Sequence, residues 1–232
     1  MSDWQIAIET STSRGSLSLL YQDQRIGQRI LPQTARTAQT FGPALSSLLE
    51  VLRQEGGGLG WVSVGIGPGS FTGLRIAVAA AKTLAYASGC PVVPCSSLAA
   101  MLLQLREIAP EAHTWDVAMD AYRDEVFALR FDRSMKTVPR AELLSRDRWW
   151  QSLGEMPLAA AGDVWRKVGP PPSQVHLVSE EYWFPTADAI GGLGWQGWCQ
   201  GACIDPMQLV PEYLRESAAV EKWQSHQSTA HQ

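Results

Sequence analysis

A glycine-rich turn followed at once by an apolar helix is the feature that most constrains how this chain folds. Four glycines and a proline lie within residues 65–73, and the residues after them are almost all apolar. Such a turn can bind an anion, because free backbone N–H groups and the helix dipole point towards the start of the helix. It can equally be a tight strand-to-helix connection that needs glycine for close backbone approach.

Two standard nucleotide-binding motifs fail at this turn. A P-loop requires lysine and then serine or threonine after its last glycine, but Gly73 is followed by Leu74 and Arg75. The dinucleotide-binding motif requires a third glycine where Thr72 stands. We therefore predict a structural turn, with anion binding as the open alternative. The turn consists of Gly67, Pro68, Gly69, Ser70, Phe71 and Thr72.

The helix after the turn, predicted over residues 72–88, is apolar on nearly its whole circumference. Between residues 74 and 87 its polar groups are those of Arg75, Lys82, Thr83 and Tyr86. A surface helix needs only one apolar face, so a second cover is expected besides the sheet under the helix. Small residues also let another helix approach closely. The second cover is either another element of this chain or a partner subunit.

Hydrophobic periodicity predicts an α/β fold. Leucines spaced i, i+3, i+4, i+7 predict an amphipathic helix over residues 37–54, and short apolar runs predict strands. The first half has the order βββαβαβα, which favours a sheet with antiparallel and parallel pairs. The predicted strands are 4–9, 15–21, 25–31, 61–66, 91–95, 114–119, 126–131 and 158–161, and further helices are predicted from Ser96 or Ser97 to about 107, over 146–153 and over 186–200.

Pro110 marks the predicted boundary between two domains. Residues 1–108 form an N-terminal lobe that contains the two helices predicted to bind a partner, and residues 109–216 form a C-terminal lobe. The polar residues 217–232 are predicted to be disordered.

Composition is that of an ordinary globular protein, with 45% apolar residues, 18% charged residues and a net charge of −4. The acidic balance argues against nucleic acid being held by this chain alone, since phosphate binding needs a clustered cationic surface. We expect neither a secretory leader nor a membrane span. The four cysteines are expected to be free thiols in a reducing cytoplasm.

Metal and nucleophile motifs are missing from the sequence. The four histidines are scattered, and no His-x-x-His, His-x-x-x-His or Cys-x-x-Cys occurs. Cys199 and Cys203 are spaced to share a helix face, but no second pair completes a metal site. Ser70 is not in a Gly-x-Ser-x-Gly elbow. We therefore predict no catalytic residue and no metal.

Four acids allow two interpretations. Glu9, Asp120, Asp124 and Glu125 all stand at predicted strand ends or in turns. They either approach one another across a cleft or are ordinary strand-end and turn residues.

Several segments together resemble one bacterial family. The sequence from Gly67 to Lys82, Gly-Pro-Gly-Ser-Phe-Thr-Gly-Leu-Arg-Ile-Ala-Val-Ala-Ala-Ala-Lys, resembles the signature of the TsaB (YeaZ) family. The segments 6–13, 94–100, 118–127 and 211–215 resemble its opening strand, a later helix start, its second-domain hairpin and its C-terminal motif. The similarity covers most of the chain in the right order.

The resemblance implies an actin/hexokinase-like ATPase superfamily fold of two related α/β lobes with mixed sheets. It also implies a non-catalytic subunit of the machinery that makes N6-threonylcarbamoyladenosine in tRNA. Such a subunit binds a catalytic TsaD-type protein and a TsaE-type ATPase, self-associates as a homodimer when the partner is missing, and contacts tRNA mainly through the partner. It carries no cofactor, because the complex uses ATP through the partner subunits.

The resemblance assigns residues to two sites. The partner surface maps onto the helices 37–54 and 72–88, with Leu45, Leu48, Gly73, Leu74, Ala77, Val78 and Ala81 as contact residues. Candidates for binding a cofactor are Glu9, Thr10, Ser11 and Thr12. Glu9 stands where many ATPases of the superfamily have aspartate, which argues against productive ATP hydrolysis, and Asp124 stands where the hairpin of the family would have glycine.

Two other functions remain as alternatives. An active ATPase or small-molecule kinase of the same superfamily would hold phosphates with residues 10–14. A metallopeptidase is the second alternative, and the lack of a histidine pair argues against it.

Overall fold

The computed structural model describes residues 2–215 as two five-stranded sheets on either side of a cleft. The first half of the chain contains the strands β1 (Trp4–Glu9), β2 (Ser16–Tyr21), β3 (Gln24–Ile30), β4 (Leu59–Gly67) and β5 (Val92–Ser96), and the helices α1 (Thr37–Gln54), α2 (Phe71–Ser88) and α3 (Ser97–Ile108). The second half contains β6 (Thr114–Asp120), β7 (Glu125–Asp132), β8 (Glu142–Ser145), β9 (Leu158–Ala161) and β10 (Val175–Leu177), with α4 (Arg146–Ser152) and α5 (Ala187–Cys199).

The two sheets repeat one topology. The first has the order β3-β2-β1-β4-β5, in which β1 pairs antiparallel with β2 and parallel with β4. The second has the order β8-β7-β6-β9-β10, in which β6 pairs antiparallel with β7 and parallel with β9. The halves are therefore structural duplicates, although the sequence contains no visible repeat.

The last helix of each half crosses to the other sheet. The helix α3 follows β5 but packs its Leu98, Met101 and Leu105 into the core of the second half. The helix α5 follows the second sheet but packs against β1 and β4 of the first. The predicted division into lobes of residues 1–108 and 109–216 stays a prediction. The helix α5 belongs to the predicted second lobe by sequence but packs on the first sheet.

Glycines on one face of α5 allow this close packing. A Cβ at Gly194 would lie 1.8 Å from Ser63 Oγ, and a Cβ at Gly191 would lie 2.7 Å from Leu20. Beneath the helix, Trp61 Nε1 and Ser63 Oγ both donate to Gln5 Oε1, so the buried amide is satisfied. The predicted helix over 186–200 is thus confirmed, and its glycines serve packing.

Most of the predicted elements are confirmed, including β1, α1 and β9 with the bounds expected. Two strands were missed, β8 and β10, which have four and three residues. Pro43 is the seventh residue of α1 and lies inside the helix, beyond the first turn where a missing N–H is tolerated. The expected shared helix face of Cys199 and Cys203 is wrong, because α5 ends at Cys199 and Gly201 follows with φ of 72°.

Residues 217–232, predicted to be disordered, lie outside the described residues. No helix within residues 2–215 is both long and apolar enough to cross a membrane.

Candidate functional site

The glycine-rich turn packs its backbone directly against the turn between β1 and β2. Gly67 and Gly69 have φ values of 121° and 154°, which favour glycine. A Cβ at Gly69 would lie 2.4 Å from the Ser11 carbonyl oxygen, which accepts a 2.7 Å hydrogen bond from Ser70 N. A Cβ at Gly73 would lie 1.9 Å from the Thr10 carbonyl oxygen. These contacts explain the glycines as residues of close backbone approach.

Helix α2 begins from this turn with regular capping. Ser70 is the N-cap, and its hydroxyl accepts a hydrogen bond from Gly73 N. The helix ends at Gly89, whose φ of 64° closes the last turn in the left-handed conformation.

The structure divides α2 into a buried side and an exposed side. The buried side packs on the first sheet and contains Gly73, Leu74, Ala77, Val78 and Ala81. The exposed side contains Ala79 and Thr83, with Phe71 40% and Tyr86 81% exposed at its ends.

This division corrects the contact residues assigned to a partner. Six of the seven predicted contact residues are buried inside the chain's own core. Five of them lie on the buried side of α2, and the sixth, Leu48, lies on the side of α1 that packs on the same sheet. Leu45 is half-buried. The partner surface itself stays a prediction.

A cleft of about 1130 Å³ lies between the two sheets. Its first wall is formed by residues 10–13 and by residues 68–73 of the glycine-rich turn, and its second wall by residues 119–123 and Asp163. The four turns follow β1, β4, β6 and β9, whose carboxyl ends face the cleft, which is where ligands bind in open α/β sheets.

Glu9 does not line this cleft. Its side chain is fully buried, and its carboxylate accepts hydrogen bonds from Ser11 N at 2.5 Å and from Ser97 Oγ at 2.8 Å. Burial raises the pKa of Glu9, and these hydrogen bonds offset part of that effect. Glu9 therefore joins the end of β1 to the start of α3, whereas Thr10, Ser11 and Thr12 do line the cleft.

The raised pKa of Glu9 predicts a pH-dependent stability difference. A carboxyl whose folded-state pKa lies above its unfolded value contributes stability at low pH, and this contribution is lost as the pH rises through the folded pKa. We expect Glu9→Gln to gain stability relative to the native chain as the pH rises from 4 to 8, measured by urea unfolding. The control is Glu50→Gln on α1, where hydrogen bonds from Arg53 lower the carboxyl pKa, so the trend should reverse. If the free energies of unfolding of the native chain and Glu9→Gln change in parallel with pH, the raised pKa of Glu9 is contradicted.

The second wall of the cleft carries two half-buried acids, Asp120 and Asp163, of which the sequence analysis named only Asp120. Asp120 Oδ2 pairs with Lys167 Nζ at 2.6 Å, and Asp120 N donates to Asp163 Oδ1 at 2.9 Å. Burial raises the pKa of Asp163, and the nearby charge of Asp120 raises it further. Asp163 follows Gly162, whose Cβ would lie 1.7 Å from the Ala118 carbonyl oxygen. Asp163 was not predicted, and the glycine and acid that directly follow β9 are the sequence signal that could have identified it.

The four acids do not converge. Asp124 pairs with Arg146 at 2.9 Å, and Glu125 pairs with Arg215. Tyr122, Arg123 and Asp124 all have positive φ, between 53° and 59°, which explains why glycine would be expected at position 124. Within residues 2–215, no three His, Cys, Asp or Glu side chains are grouped to hold a metal ion.

The duplicated sheets, the exchanged helices and the cleft between them define a protein with the actin/hexokinase-like fold. The family model for TsaD, tRNA N6-adenosine threonylcarbamoyltransferase, matches residues 22–150, which is more than half of the chain. The chain belongs to this family, in its TsaB/YeaZ branch.

Three curated relatives carry the name tRNA threonylcarbamoyladenosine biosynthesis protein TsaB. The one from Haemophilus influenzae is 31% identical over 65% of this chain and 61% of its own length, and the one from Bacillus subtilis is 37% identical over 40% and 41%. The match thus spans less than two thirds of either relative. The one from Escherichia coli is 26% identical over 94% of this chain and 96% of its own length.

Two solved structures from Pseudomonas aeruginosa share the fold. One is described as an uncharacterized protein with similarity to peptidase YEAZ, and the other as YeaZ. Both have a TM-score of 0.72 and 26% identity, and they cover 93% and 92% of this chain and 100% of their own chains.

Proposed function

We propose that this chain is a non-catalytic subunit of the assembly that makes N6-threonylcarbamoyladenosine in tRNA. The naming of a relative matched over nearly its whole length supports the pathway. The match to the TsaD family model supports a partner of related fold. In this proposal the chain binds a TsaD-type transferase, acts with a TsaE-type ATPase in the cytoplasm, and holds no cofactor of its own.

The exposed side of α2 is the observation that carries the role of a binding subunit. Ala79 and Thr83 lie at its centre, the aromatic rings of Phe71 and Tyr86 flank them, and Arg75 is exposed beside Phe71. Small residues permit close helix approach, and exposed aromatic rings supply apolar area to an interface. The same side would pair two copies of this chain as a homodimer when the partner is missing.

The acidic net charge agrees with a role in which the partner, rather than this chain, holds the tRNA. A charge of −4 gives the chain little overall attraction for a phosphate backbone, so tRNA would be held mostly by the partner.

A reconstituted modification assay tests the proposal. Unmodified tRNA is incubated with purified TsaD-type and TsaE-type proteins and a source of threonylcarbamoyl-adenylate, with and without this chain. Nucleoside mass spectrometry should show the modified adenosine only when the chain is present. Equal modification in its absence would contradict the proposal.

A further inference from the structure

The segment Glu212–Arg215 crosses the cleft and contacts both halves of the molecule. It lines the cleft along its length. Two other parts of the chain pass between the halves, at α3 and before α5, but neither helix lines the cleft. Within residues 2–215, this segment is therefore the connection between the halves that lies at the cleft. We call it the strap.

The first end of the strap is fixed to the first sheet. Glu212 N donates a 2.8 Å hydrogen bond to the Ile66 carbonyl oxygen near the end of β4. The Glu212 carbonyl oxygen lies so close to Gly67 that a Cβ there would be 2.8 Å away. The ring of Tyr213 stacks on that of Phe71, the first residue of α2, with 4.9 Å between centroids.

The second end of the strap is fixed to the second sheet. Leu214 packs against the core of the second half. The Arg215 guanidinium donates to the carbonyl oxygens of Ala121 and Tyr122 and pairs with Glu125. Ala121 and Tyr122 belong to the β6–β7 turn, which forms the second wall of the cleft, and Glu125 is the first residue of β7.

The chemistry of these contacts differs from that of ordinary surface pairs. Only 20% of the Arg215 side chain is exposed, and one guanidinium satisfies two backbone carbonyls and a carboxylate together. Charge-assisted hydrogen bonds of this kind are stronger than neutral ones. The backbone of the turn they hold has three successive positive φ values, so removal of the guanidinium would free a turn that is already strained.

We propose that the strap is a latch that fixes the separation of the two lobes, and that its release opens the cleft. The inference rests on the strap contacts alone and holds whether or not the chain acts in tRNA modification. Because Phe71 is the first residue of α2, the latch also joins α2 to the second lobe.

Distance measurements between spin labels on the two lobes test the latch. Labels are attached through Gln39→Cys on α1 and Gln151→Cys on α4, both exposed positions. The background carries Cys199→Ser and Cys203→Ser. Cys90 and Cys95 remain, because both are buried and burial raises their pKa to about 11 and about 12, which suppresses the reactive thiolate.

Variants at the two ends of the strap should give the same result. Arg215→Ala and Tyr213→Ala are each expected to broaden the distance distribution and shift it to longer values. Tyr213→Phe keeps the stacked ring and should match the parent protein. The matched controls Arg140→Ala and Val210→Ala, both at exposed positions, should leave the distribution unchanged.

All measurements use the full chain, with labelled protein diluted into an excess of unlabelled protein so that only distances within one copy are recorded. Unchanged distributions in both Arg215→Ala and Tyr213→Ala, with native circular dichroism, would overturn the latch. If either alanine variant fails to fold, Arg215→Lys is measured in its place. The lysine keeps the charge but cannot bridge three acceptors with a planar group, so the distribution should still broaden, and an unchanged one would equally overturn the latch.

Discussion

Gly73→Ala is expected to lower the free energy of unfolding by about 3 kcal/mol or more. The added Cβ would lie 1.9 Å from the Thr10 carbonyl oxygen, far inside van der Waals contact. The neighbour is backbone of the β1–β2 turn, so no side-chain rotation relieves the clash. Thr10 Oγ1 also donates to the Gly73 carbonyl at 2.8 Å, and separation of the two turns would weaken this bond. Urea unfolding monitored by tryptophan fluorescence measures the change.

Gly42→Ala in α1 is the matched control for this substitution. Apart from the chain neighbours of Gly42 and the nearby backbone of its own helix, no atom lies within 4 Å of a Cβ at this position, so no tertiary clash arises. Alanine raises the helix propensity at this position, but its Cβ contacts the following Pro43. The net change in the free energy of unfolding should therefore stay below about 1 kcal/mol. Equal stability of Gly73→Ala and Gly42→Ala would show that the glycine-rich turn does not require close backbone approach.

Ala79→Arg is expected to weaken association with a TsaD-type partner by at least about 100-fold, equivalent to about 2.7 kcal/mol. Ala79 lies in the exposed side of α2, where a long side chain would hold the two surfaces apart and bury an unpaired charge. Isothermal titration calorimetry with the purified partner measures the dissociation constant. The chain itself should fold normally, because the side chain points away from the sheet.

Gln196→Arg introduces the same residue at an exposed position of α5, on the other face of the first sheet, and serves as the control. It should bind the partner as tightly as the native chain. Native affinity of Ala79→Arg would place the interface elsewhere on the surface.

The sequence pattern predicted most of the helices and strands, because hydrophobic periodicity and turn residues are properties of short segments. The strands β8 and β10 were missed because four and three residues are too few to show alternation. The duplication of the two sheets could not be seen in the sequence either, because it is a similarity of strand pairing and strand order. Pairing joins residues far apart in the chain, as β1 and β4 show.

The site was harder to predict than the fold. The polar residues Arg75, Thr83 and Tyr86 are spaced along one face of α2, and this stripe marks the exposed side that contains Ala79. The predicted contact residues Ala77 and Ala81 lie on the opposite face and are buried against the sheet. The role of Glu9 depends on Ser97, which is 88 positions away. The segment 211–215 resembles a family motif in the sequence, but its contacts with both lobes follow only from the fold.

The central claim is that the chain binds a TsaD-type protein through the exposed side of α2, and light scattering after size exclusion tests it most directly. We predict that the chain alone has the mass of a homodimer, and that a mixture with the partner gives a complex with the summed mass of one copy of each. Ala79→Arg should be a monomer and should leave the partner unbound. Elution of the native chain and the partner as separate species at micromolar concentration would contradict the account.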